Sequence, residues 1–493
     1  MHRTYDSIPQ LPLMPTNIPR LSTFLLCLFS SVILLSCARS ANPDIERGSN
    51  YKFRQGYPEA RADAVGYIDE NGDPGISVAV DLVYGSLVYK ENDEGALTAS
   101  YAIDVQVIEQ GGLKRVINSV RHTNEVSSNS ESIVYNQDVL NYEDRIEAKP
   151  GTYDVNITVT DLNSSRQITR IAQTSIPNPR SKQMDLTNIR MFSKDMDVQN
   201  PAWKPMTTYD VAGDIDSLKF IFQVVNSPSD RPLQIDTRLV RYQSDTEPAR
   251  DMYQSNYGSS TLGHKGIEYD EFDVVQSSQR TFEQAGSVLI ELKFAQQRRG
   301  NYRFEASTYR NENEEESIFK GRDFGVKSQN YPAVQNAREL ARPLTYLMNA
   351  DEYESLMSIE EDDSLKEAID RFWLRNIGNT QEARSVIRMY YERVEEANKQ
   401  YSNYKEGWKT DQGMIYVLFG PPWYTEENLD RQVWSYSYNR NDPDLNFLFI
   451  QRKLKTEFYP FDNYILQRNN YYYDTQYQQE QLWLSGRILN RNI

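Results

Sequence analysis

The chain has 493 residues, of which 39% are hydrophobic and 25% are charged, and its formal net charge is −16. This composition is typical of roughly two to four globular domains, and it excludes a polytopic membrane protein, a collagen-like fibre and a wholly disordered chain. The negative charge argues against nucleic acid as a partner, because binding it requires clustered Lys and Arg. Three histidines and two cysteines leave little material for metal or nucleophile chemistry. We therefore predict no metal site, no cofactor and no catalytic residue.

An uncharged apolar run lies near the start of the chain. Residues 21–35 read LSTFLLCLFSSVILL, which is short for a membrane span and suitable for the core of a signal peptide. The run ends at residues 34–37 (LLSC), which resemble the lipobox of bacterial lipoproteins. The resemblance implies a signal peptide at residues 1–36, cleavage before Cys37 and lipidation of that cysteine. The alternative is a plain secretory signal with an accidental cysteine.

The lipobox also sets expectations about compartment and anchoring. Cleavage would remove Cys27 and acylation would occupy Cys37, so the mature chain would have no thiol for a disulfide or for catalysis. Several acyl chains hold a protein stably in a membrane. Ala38 follows the cysteine in place of an acidic residue, which is compatible with sorting to an outer membrane. We expect a lipid-anchored outer-membrane protein that faces the periplasm or the cell surface, with a polar tether at residues 37–50.

Alternation of apolar and polar residues with a period of two predicts a β-rich middle region. The alternation is clear at residues 101–107 and 153–159, and it returns at residues 302–308. A Gly-x-Tyr pattern opens two of these strands, GTY at residues 151–153 and GNY at residues 300–302. One apolar face and one solvated face suit the strands of a β-sandwich.

The recurrence of this strand pattern predicts two immunoglobulin-like β-sandwiches, at residues 51–180 and 183–330. Chance similarity of two β-strands is the alternative. Residues 243–285 are polar and rich in serine, and we interpret them as a long loop within the second sandwich.

From residue 333 to residue 493 the pattern indicates a helical and α+β domain. Ser364 and Glu367 have the spacing of a capping box and predict the start of one helix, and residues 383–401 carry the apolar stripe of a longer one. The continuous apolar run Met414–Phe419 (MIYVLF), followed by Gly-Pro-Pro, predicts a buried strand.

A short motif separates the longer helix from this apolar run. Residues 407–411 read GWKTD, and Gly413, the apolar run and Gly-Pro-Pro follow. Together with FW at residues 372–373 and YERV at residues 391–394, this segment resembles the GWxTD domain of predicted lipoproteins in Bacteroidota and related phyla. The chain has Asn376 where the family pattern has aspartate, so no role of that aspartate is implied. The resemblance implies no established reaction. The predicted fold class is a multidomain, mainly β chain with two sandwiches followed by this C-terminal domain.

The motif has a structural interpretation and a functional one. In the structural interpretation, Gly407 ends the helix in a left-handed conformation, Trp408 is an apolar plug, and Thr410 and Asp411 bind backbone amides of the turn. In the functional interpretation, a groove around Trp408 and Asp411 binds a peptide or a glycan. We favour the structural interpretation, because motif residues at turns usually serve the fold.

The C-terminal segment is rich in aromatic residues. Tyr472 and Trp483, with their neighbours Tyr471, Tyr473 and Tyr477, could stack on sugars, form an interface or pack in the core. Three consecutive tyrosines cannot all point inward from a strand, which favours an interface. Tyr472 and Trp483 are therefore candidate binding residues beside Trp408, Thr410 and Asp411.

Other candidate sites have simpler interpretations. Asp69, Asn71 and Asp73 have the spacing of a calcium loop, but Pro74 and Val80 occupy positions that such a loop needs for glycine and a bidentate acid. A plain turn is the better interpretation. The two acidic runs Glu314–Glu316 and Glu360–Asp363 are interpreted as solvated loops. The histidines His122 and His264 are interpreted as surface residues.

The sequence therefore predicts a non-enzymatic binding or scaffold protein of the cell envelope. We expect it to contact the membrane through acyl chains on Cys37 and to serve an envelope assembly or transport system, with envelope proteins as partners. The first alternative is an envelope hydrolase with Asp411 in a carboxylate pair, which requires a second acid nearby. The second is a glycan-binding lipoprotein, which requires exposed, coplanar aromatic rings on the terminal domain.

Overall fold

The structure is a computed structural model. It describes residues 54, 56–69, 71–111, 114–178, 184–196, 201–226, 232–258, 265–310, 317–437, 439, 444–451 and 461–490, and the backbone of a short strand β1 (Ile45–Glu46). The signal peptide, Cys37 and most of the tether lie outside the described residues. In the part of the chain that is described, no helix is long and apolar enough to cross a membrane.

The first module is a sandwich of two antiparallel sheets. Its strands are β2 (Ala60–Ile68), β3 (Pro74–Val83), β4 (Lys90–Glu91), β5 (Leu97–Glu109), β6 (Arg115–Ser128), β7 (Val139–Glu147), β8 (Gly151–Asp161) and β9 (Gln167–Ile176). One sheet has the order β2-β3-β7. The other has the order β4-β5-β8-β9, with β6 paired to β5. The inward residues of both sheets, such as Val78 of β3, Ile103 of β5 and Ile157 of β8, form one buried core.

The second module repeats this plan. Its strands are β10 (Asp185–Leu186), β11 (Arg190–Asp195), β12 (Lys204–Pro205), β13 (Asp210–Val211), β14 (Ile215–Asn226), β15 (Leu233–Ser244), β16 (Ile267–Phe282), β17 (Gly286–Ala295), β18 (Gly300–Tyr309) and β19 (Ile318–Val326). One sheet has the order β10-β14-β11-β12, with β17 also paired to β14. The other has the order β1-β19-β18-β15-β16, with β13 paired to β19.

The two sandwiches correspond strand by strand. The sheet β2-β3-β7 matches β11-β14-β17, and the strands β6, β5, β8 and β9 match β16, β15, β18 and β19. The Gly-x-Tyr pattern forms the same tyrosine corner in both modules. Tyr153 donates its hydroxyl to the Lys149 carbonyl at 2.7 Å, and Tyr302 donates to the Arg298 carbonyl at 2.6 Å. Such a corner is a hallmark of the immunoglobulin-like sandwich. The prediction of two sandwiches is confirmed.

The predicted loop at residues 243–285 is partly wrong. Residues 245–258 are irregular, but Ile267–Phe282 form the 16-residue strand β16, which pairs with β15. The strand lies at the edge of its sheet and most of its side chains are exposed. An exposed edge strand buries neither face, so it lacks the apolar alternation by which strands are recognised.

The C-terminal region combines helices with a small antiparallel sheet. Its helices are α1 (Ala337–Ala341), α2 (Ala350–Met357), α3 (Asp362–Ile377), α4 (Thr380–Tyr401), α5 (Asp411–Phe419) and α6 (Tyr472–Leu484). Its strands are β20 (Tyr424–Glu427), β21 (Arg431–Ser435), β22 (Asn446–Gln451) and β23 (Tyr464–Leu466), which pair in chain order. Trp373, Tyr390 and Trp483 lie at the centre of its core.

Two details predicted for this region are wrong. Met414–Phe419 belong to the helix α5, in which every residue from Asp411 to Phe419 is buried. A short helix that is buried on all sides has the same continuous apolar run as a buried strand, so periodicity does not distinguish them. The helix α3 begins at Asp362 rather than at a Ser364 capping box, and the Ser364 hydroxyl bonds the Glu361 carboxylate instead.

Candidate functional site

The motif at residues 407–411 forms a tight connection between α4 and α5. Gly407 begins a short 3₁₀ turn, and its φ angle is not positive, so the predicted left-handed helix end is wrong. Gly407 serves another purpose, because a Cβ atom there would lie only 1.9 Å from the Ala397 carbonyl oxygen of α4. A Cβ atom at Gly413 would lie 1.9 Å from the Gly407 carbonyl oxygen. The two glycines let the turn pack directly on two segments of backbone.

The tryptophan and threonine of the motif stabilise this turn. Trp408 is buried, its amide donates to Asn398 Oδ1 at 3.3 Å, and its carbonyl accepts from the Tyr346 hydroxyl at 2.8 Å. Thr410 is the N-cap of α5, because its Oγ1 accepts from the Gly413 amide at 3.0 Å. The predicted plug and the predicted threonine–amide bond are both confirmed.

The aspartate of the motif forms a buried ion pair with an arginine far along the chain. Arg468 Nη1 and Nη2 donate to Asp411 Oδ2 and Oδ1 at 2.7 and 2.9 Å, and the Leu466 amide donates to Oδ2 at 2.7 Å. Burial lowers the pKa of Arg468, but the charge and hydrogen bonds of Asp411 outweigh burial, and the net pKa is raised. Asp411 is therefore paired with a cation and not with the second acid that the hydrolase alternative requires.

Arg468 also joins the C-terminal domain to the second sandwich. Its guanidinium donates to the carbonyls of Arg250 and Asp251 at 2.9 and 3.2 Å, in the segment that follows β15. Its backbone exchanges two hydrogen bonds with the Asn256 side chain, at 2.7 and 2.9 Å. The motif aspartate thus orients a side chain that holds two modules together.

A second buried carboxylate lies immediately before the motif. Glu406 pairs with Arg299, which directly precedes β18, and with Lys409 Nζ at 3.4 Å, and it accepts from the Ser328 amide at 3.1 Å. Burial alone would raise the pKa of Glu406, but the charges of Lys409, Arg299 and Lys327 lower it below the usual 4.5. Glu406 therefore connects the motif to the end of the second sandwich as an ion.

The Glu406→Gln variant tests this connection through its pH dependence. At pH 7 we expect the free energy of unfolding of the variant to be about 1–3 kcal/mol lower, because the partly exposed Arg299 and Lys409 lose their buried counter-charge. The pKa of Glu406 is lower in the folded state than in the unfolded state, so its contribution is present above about pH 4.5 and is lost as pH falls through the folded pKa. Urea unfolding of both proteins between pH 7 and pH 3 checks this, and a difference independent of pH would contradict it.

A cationic cavity lies between the motif and the ends of β18 and β19. Its volume is about 270 Å³, and its charged lining residues are Arg299, Lys327, Arg342, Lys405, Glu406 and Lys409. The side chain of Lys405 donates to Asp245 Oδ2 at 2.9 Å, and Lys265 binds the other oxygen of the same carboxylate at 2.9 Å. Arrays of this kind can hold an anionic group.

The structure buries all five predicted binding residues. Trp408, Thr410, Asp411, Tyr472 and Trp483 are each at most 7% exposed. Tyr472 and Trp483 belong to the helix α6, not to a strand, and the Trp483 indole donates to the Leu418 carbonyl at 2.9 Å. Each of these five residues packs in the core or at the junction between modules. This burial favours the structural interpretation of the motif.

Two aromatic residues near Tyr472 on α6 are exposed. Tyr473 and Tyr477 are each 53% exposed, and their rings are parallel to within 3° with centroids 6.4 Å apart. Tyr253, from the segment after β15, packs edge-on against Tyr473 at 5.1 Å. Because Tyr472 and Tyr473 lie on a helix, neighbouring tyrosines can face the core and the solvent.

Asp69 and His122 have the simple structures predicted for them, and the run Glu360–Asp363 is exposed as predicted, but its last two residues begin the helix α3 instead of forming a loop. Asp69 Oδ1 accepts from the amides of Asn71 and Asp73 in the hairpin between β2 and β3, which is a plain turn. His122 pairs with Asp144 on the partly exposed side of the first sandwich. His264 and Glu314–Glu316 lie outside the described residues. Among the residues that are described, no group of three or more His, Cys, Asp or Glu could hold a metal ion.

The residues most important at the junction were not found from the sequence. Glu406 directly precedes the motif, so its position in the sequence could have identified it as a residue of the junction. Arg468, Arg299 and Asp245 lie far from the motif in the sequence, and nothing in their local pattern indicates burial.

Comparison with known proteins identifies the C-terminal region. Residues 307–485 match the model of the GWxTD domain family. No curated protein matches the chain. Three solved structures that match part of the chain are described next, and the structural similarity of each to this chain is low.

Red sea bream transglutaminase has 11% identity and a TM-score of 0.18, over 54% of this chain and 31% of that one. Salmonella alpha-2-macroglobulin reacted with methylamine has 16% identity and a TM-score of 0.16, over 57% and 17%. The C-terminal domain of the Streptococcus pyogenes antigen I/II-family protein AspA has 9% identity and a TM-score of 0.16, over 54% and 99%. The chain thus spans less than a third of the first two proteins, and TM-scores this low support no inference about this chain.

Proposed function

Because residues 307–485 form a GWxTD domain, we propose that this chain is a lipid-anchored protein of the cell envelope with a non-enzymatic binding or scaffold role. It serves as an accessory component of an envelope assembly or transport system, on the outer membrane. The lipobox at residues 34–37 supports the anchor at Cys37. The observation that carries the scaffold role is that the motif residues bind other modules of the same chain.

Ion pairs and hydrogen bonds connect all three modules, which belong to one compact unit. Lys399 of α4 binds Glu59 at 3.1 Å and Gln137 at 2.7 Å, and both partners belong to the first sandwich. Thr207 of the second sandwich donates to Asp81 of the first at 2.8 Å. Glu59 and Thr207 are buried, so these contacts restrict movement between modules more than exposed ion pairs would. A chain built in this way presents its outer surfaces in fixed positions, as a scaffold requires.

In-cell crosslinking of the native lipoprotein tests the binding role. Mild detergent extraction and mass spectrometry should recover a reproducible envelope protein, because a scaffold component stays bound to its assembly. The Tyr473→Ser/Tyr477→Ser variant tests whether the exposed tyrosines of α6 form the contact, and Tyr135→Ser, an 80% exposed tyrosine of the first sandwich, is the matched control. Recovery of the chain alone from wild-type cells would contradict a stable assembly component.

The Cys37→Ser variant tests the anchor separately. Metabolic labelling with a radioactive fatty acid should mark the wild-type chain and not the variant, since only the thiol forms the thioether. The wild-type chain should fractionate with outer membranes, and the variant should be lost from them. Equal labelling of both proteins would contradict lipidation at Cys37.

A glycan-binding role is the second candidate, and the exposed tyrosine pair favours it. Tyr473 and Tyr477 of the terminal domain are exposed and their rings are parallel to within 3°, but the rings are stacked with centroids 6.4 Å apart, so they meet the requirement for exposed rings and not the requirement for coplanar ones. Sugars stack on such rings through their apolar faces. Titration with envelope glycans should saturate for the wild type and for Tyr135→Ser, and not for Tyr473→Ser/Tyr477→Ser. Equal binding by all three proteins would exclude this site.

A further inference from the structure

The cationic cavity beside the motif has more positive than negative charge, although the whole chain has a net charge of −16. Among its described lining residues, five are cations and one is a carboxylate. The carboxylates of Asp245 and Asp210 lie behind the lining and pair with Lys405 and Lys327 at 2.9 and 3.2 Å. The five lining cations therefore have three carboxylates between them, namely Glu406, Asp245 and Asp210. One of these, Asp245, also pairs with Lys265.

The surplus is located at Arg342 and Lys409. Among the described residues, no carboxylate lies within ion-pair distance of Arg342, which follows α1 and is partly exposed. Lys409 shares Glu406 with Arg299, at a longer distance of 3.4 Å. Glu406 cannot neutralise both cations, so one positive charge at this end of the cavity has no counter-charge among the residues that the structure describes.

The unbalanced charge has an energetic cost in the protein as it stands. Burial lowers the pKa of Lys409, and the neighbouring charges of Arg299 and Lys405 lower it further, against the attraction of Glu406. Burial also lowers the pKa of Lys405. An anion that enters the cavity would stabilise cations that are crowded and desolvated in this way.

We propose that this cavity binds a small oxyanion of the phosphate type. Arg342 and Lys409 provide charge-assisted hydrogen bonds, and Lys327 and Lys405 supply further positive potential behind them. A volume of about 270 Å³ is several times that of a phosphate group, so the cavity accommodates the group together with waters or with the part of a larger molecule that carries it. The oxyanion is either a free phosphate compound or the phosphate of a lipid headgroup, since both present the same oxygens. This site goes beyond the scaffold role and does not depend on the identity of a protein partner.

The position of the cavity gives the site a consequence for the junction. Arg299 belongs to the second sandwich and Lys409 to the motif, so an oxyanion between them contacts both modules. Bound phosphate should therefore raise the unfolding temperature of the whole chain, because a ligand that binds only the folded state stabilises it.

Calorimetric titration with inorganic phosphate at low ionic strength tests the proposal. We expect saturable binding by the wild type, at least about tenfold weaker in Arg342→Gln and in Lys409→Gln, because each loses a charged hydrogen bond. Lys366→Gln removes the same charge from the exposed face of α3 and should bind as the wild type does. Circular dichroism establishes that each variant is folded, and Arg342→Gln is the variant least expected to disturb the fold, because Arg342 has no carboxylate partner in the described part of the chain.

Two further arms complete the test. Sodium chloride at equal ionic strength should give no saturable signal. This control distinguishes binding at a specific site from general electrostatic screening by salt. Flotation with vesicles that contain phosphatidic acid, compared with vesicles of pure phosphatidylcholine, distinguishes a lipid headgroup from a free ligand. If the ligand is a headgroup, the wild type should float with the phosphatidic acid vesicles and Arg342→Gln and Lys409→Gln should not. The proposal is overturned if neither phosphate nor vesicles bind, if chloride matches phosphate, or if Arg342→Gln binds as tightly as the wild type. The crosslinking result does not affect this outcome.

Discussion

Asp411→Asn is expected to lower the free energy of unfolding by about 3–5 kcal/mol, which is the usual cost of breaking a buried ion pair from one side. Arg468 is fully buried, and its guanidinium would keep its charge in the variant. The amide of asparagine could accept a hydrogen bond from Arg468 but could not neutralise it. The cost is therefore the desolvation of an unpaired cation, which is larger than the loss of two hydrogen bonds.

The damage should extend beyond the C-terminal domain. Arg468 bonds the carbonyls of Arg250 and Asp251 as well as Asp411, so a displaced guanidinium releases the segment that follows β15. Hydrogen exchange should accordingly become faster at the amides of Met252 and Arg468, which are bonded across the junction in the wild type. The first sandwich, whose core is separate, should keep its protection.

Denaturant unfolding of the purified proteins measures the effect. Asp370→Asn is the matched control, because it removes the same charge from an exposed pair with Lys366 on α3 and should cost less than about 0.5 kcal/mol. The double variant Asp411→Leu/Arg468→Met removes both charges and should recover part of the lost stability. If Asp411→Asn unfolds within about 1 kcal/mol of the wild type, Asp411 does not anchor the junction.

The sequence predicts those parts of the fold that bury one face of a regular element. Strands such as β5 and β8 alternate because one face lies in a sandwich core, and α4 has an apolar stripe because one side packs. Periodicity fails when both faces share one environment. The helix α5 is buried on all sides and the strand β16 is exposed along most of its length, so both were assigned wrongly for opposite reasons.

The candidate site was predictable only where its residues are adjacent in the sequence. Gly407, Trp408 and Thr410 belong to one short motif, and the motif pointed to them, although Gly407 and Trp408 contact residues of α4 and Tyr346. Arg468 is 57 residues from Asp411, and Arg299 is 107 residues from Glu406. A sequence without known contacts gives no means to pair charged residues at such separations, because burial arises from the tertiary fold.

The domain boundary illustrates the same limit. The pattern places the start of the C-terminal domain at residue 333, where the period changes from two to 3.6. The family match begins at residue 307, within β18, and so includes β19 of the second sandwich. The contacts of Glu406 with Arg299 and with the Ser328 amide give a physical reason, because the motif is completed by residues at the end of that sandwich.

Gly407→Ala is expected to cost about 3 kcal/mol or more, the upper part of the range for an overpacked site. The added Cβ atom would lie 1.9 Å from the Ala397 carbonyl oxygen and 2.8 Å from the Asn398 Cα atom, and both are backbone atoms of α4. A side chain could rotate away, but this helix could yield only by separating from the 3₁₀ turn. That separation would pull Trp408 from its bonds with Asn398 and Tyr346.

Urea unfolding and near-ultraviolet circular dichroism measure the loss of stability and of the packed tryptophan environment. Gly378→Ala is the control, because Gly378 ends α3 with a φ of +73° and open space around its Cβ position. It should show only the strain of a left-handed alanine, about 1 kcal/mol. If the two variants lose equal stability, backbone contact does not explain the motif glycine. If Gly407→Ala loses much more, each named residue of GWxTD has a physical role, namely close approach, core packing, helix capping and ion pairing. Lys409, at the variable position, is then the motif residue that faces the cationic cavity rather than the core.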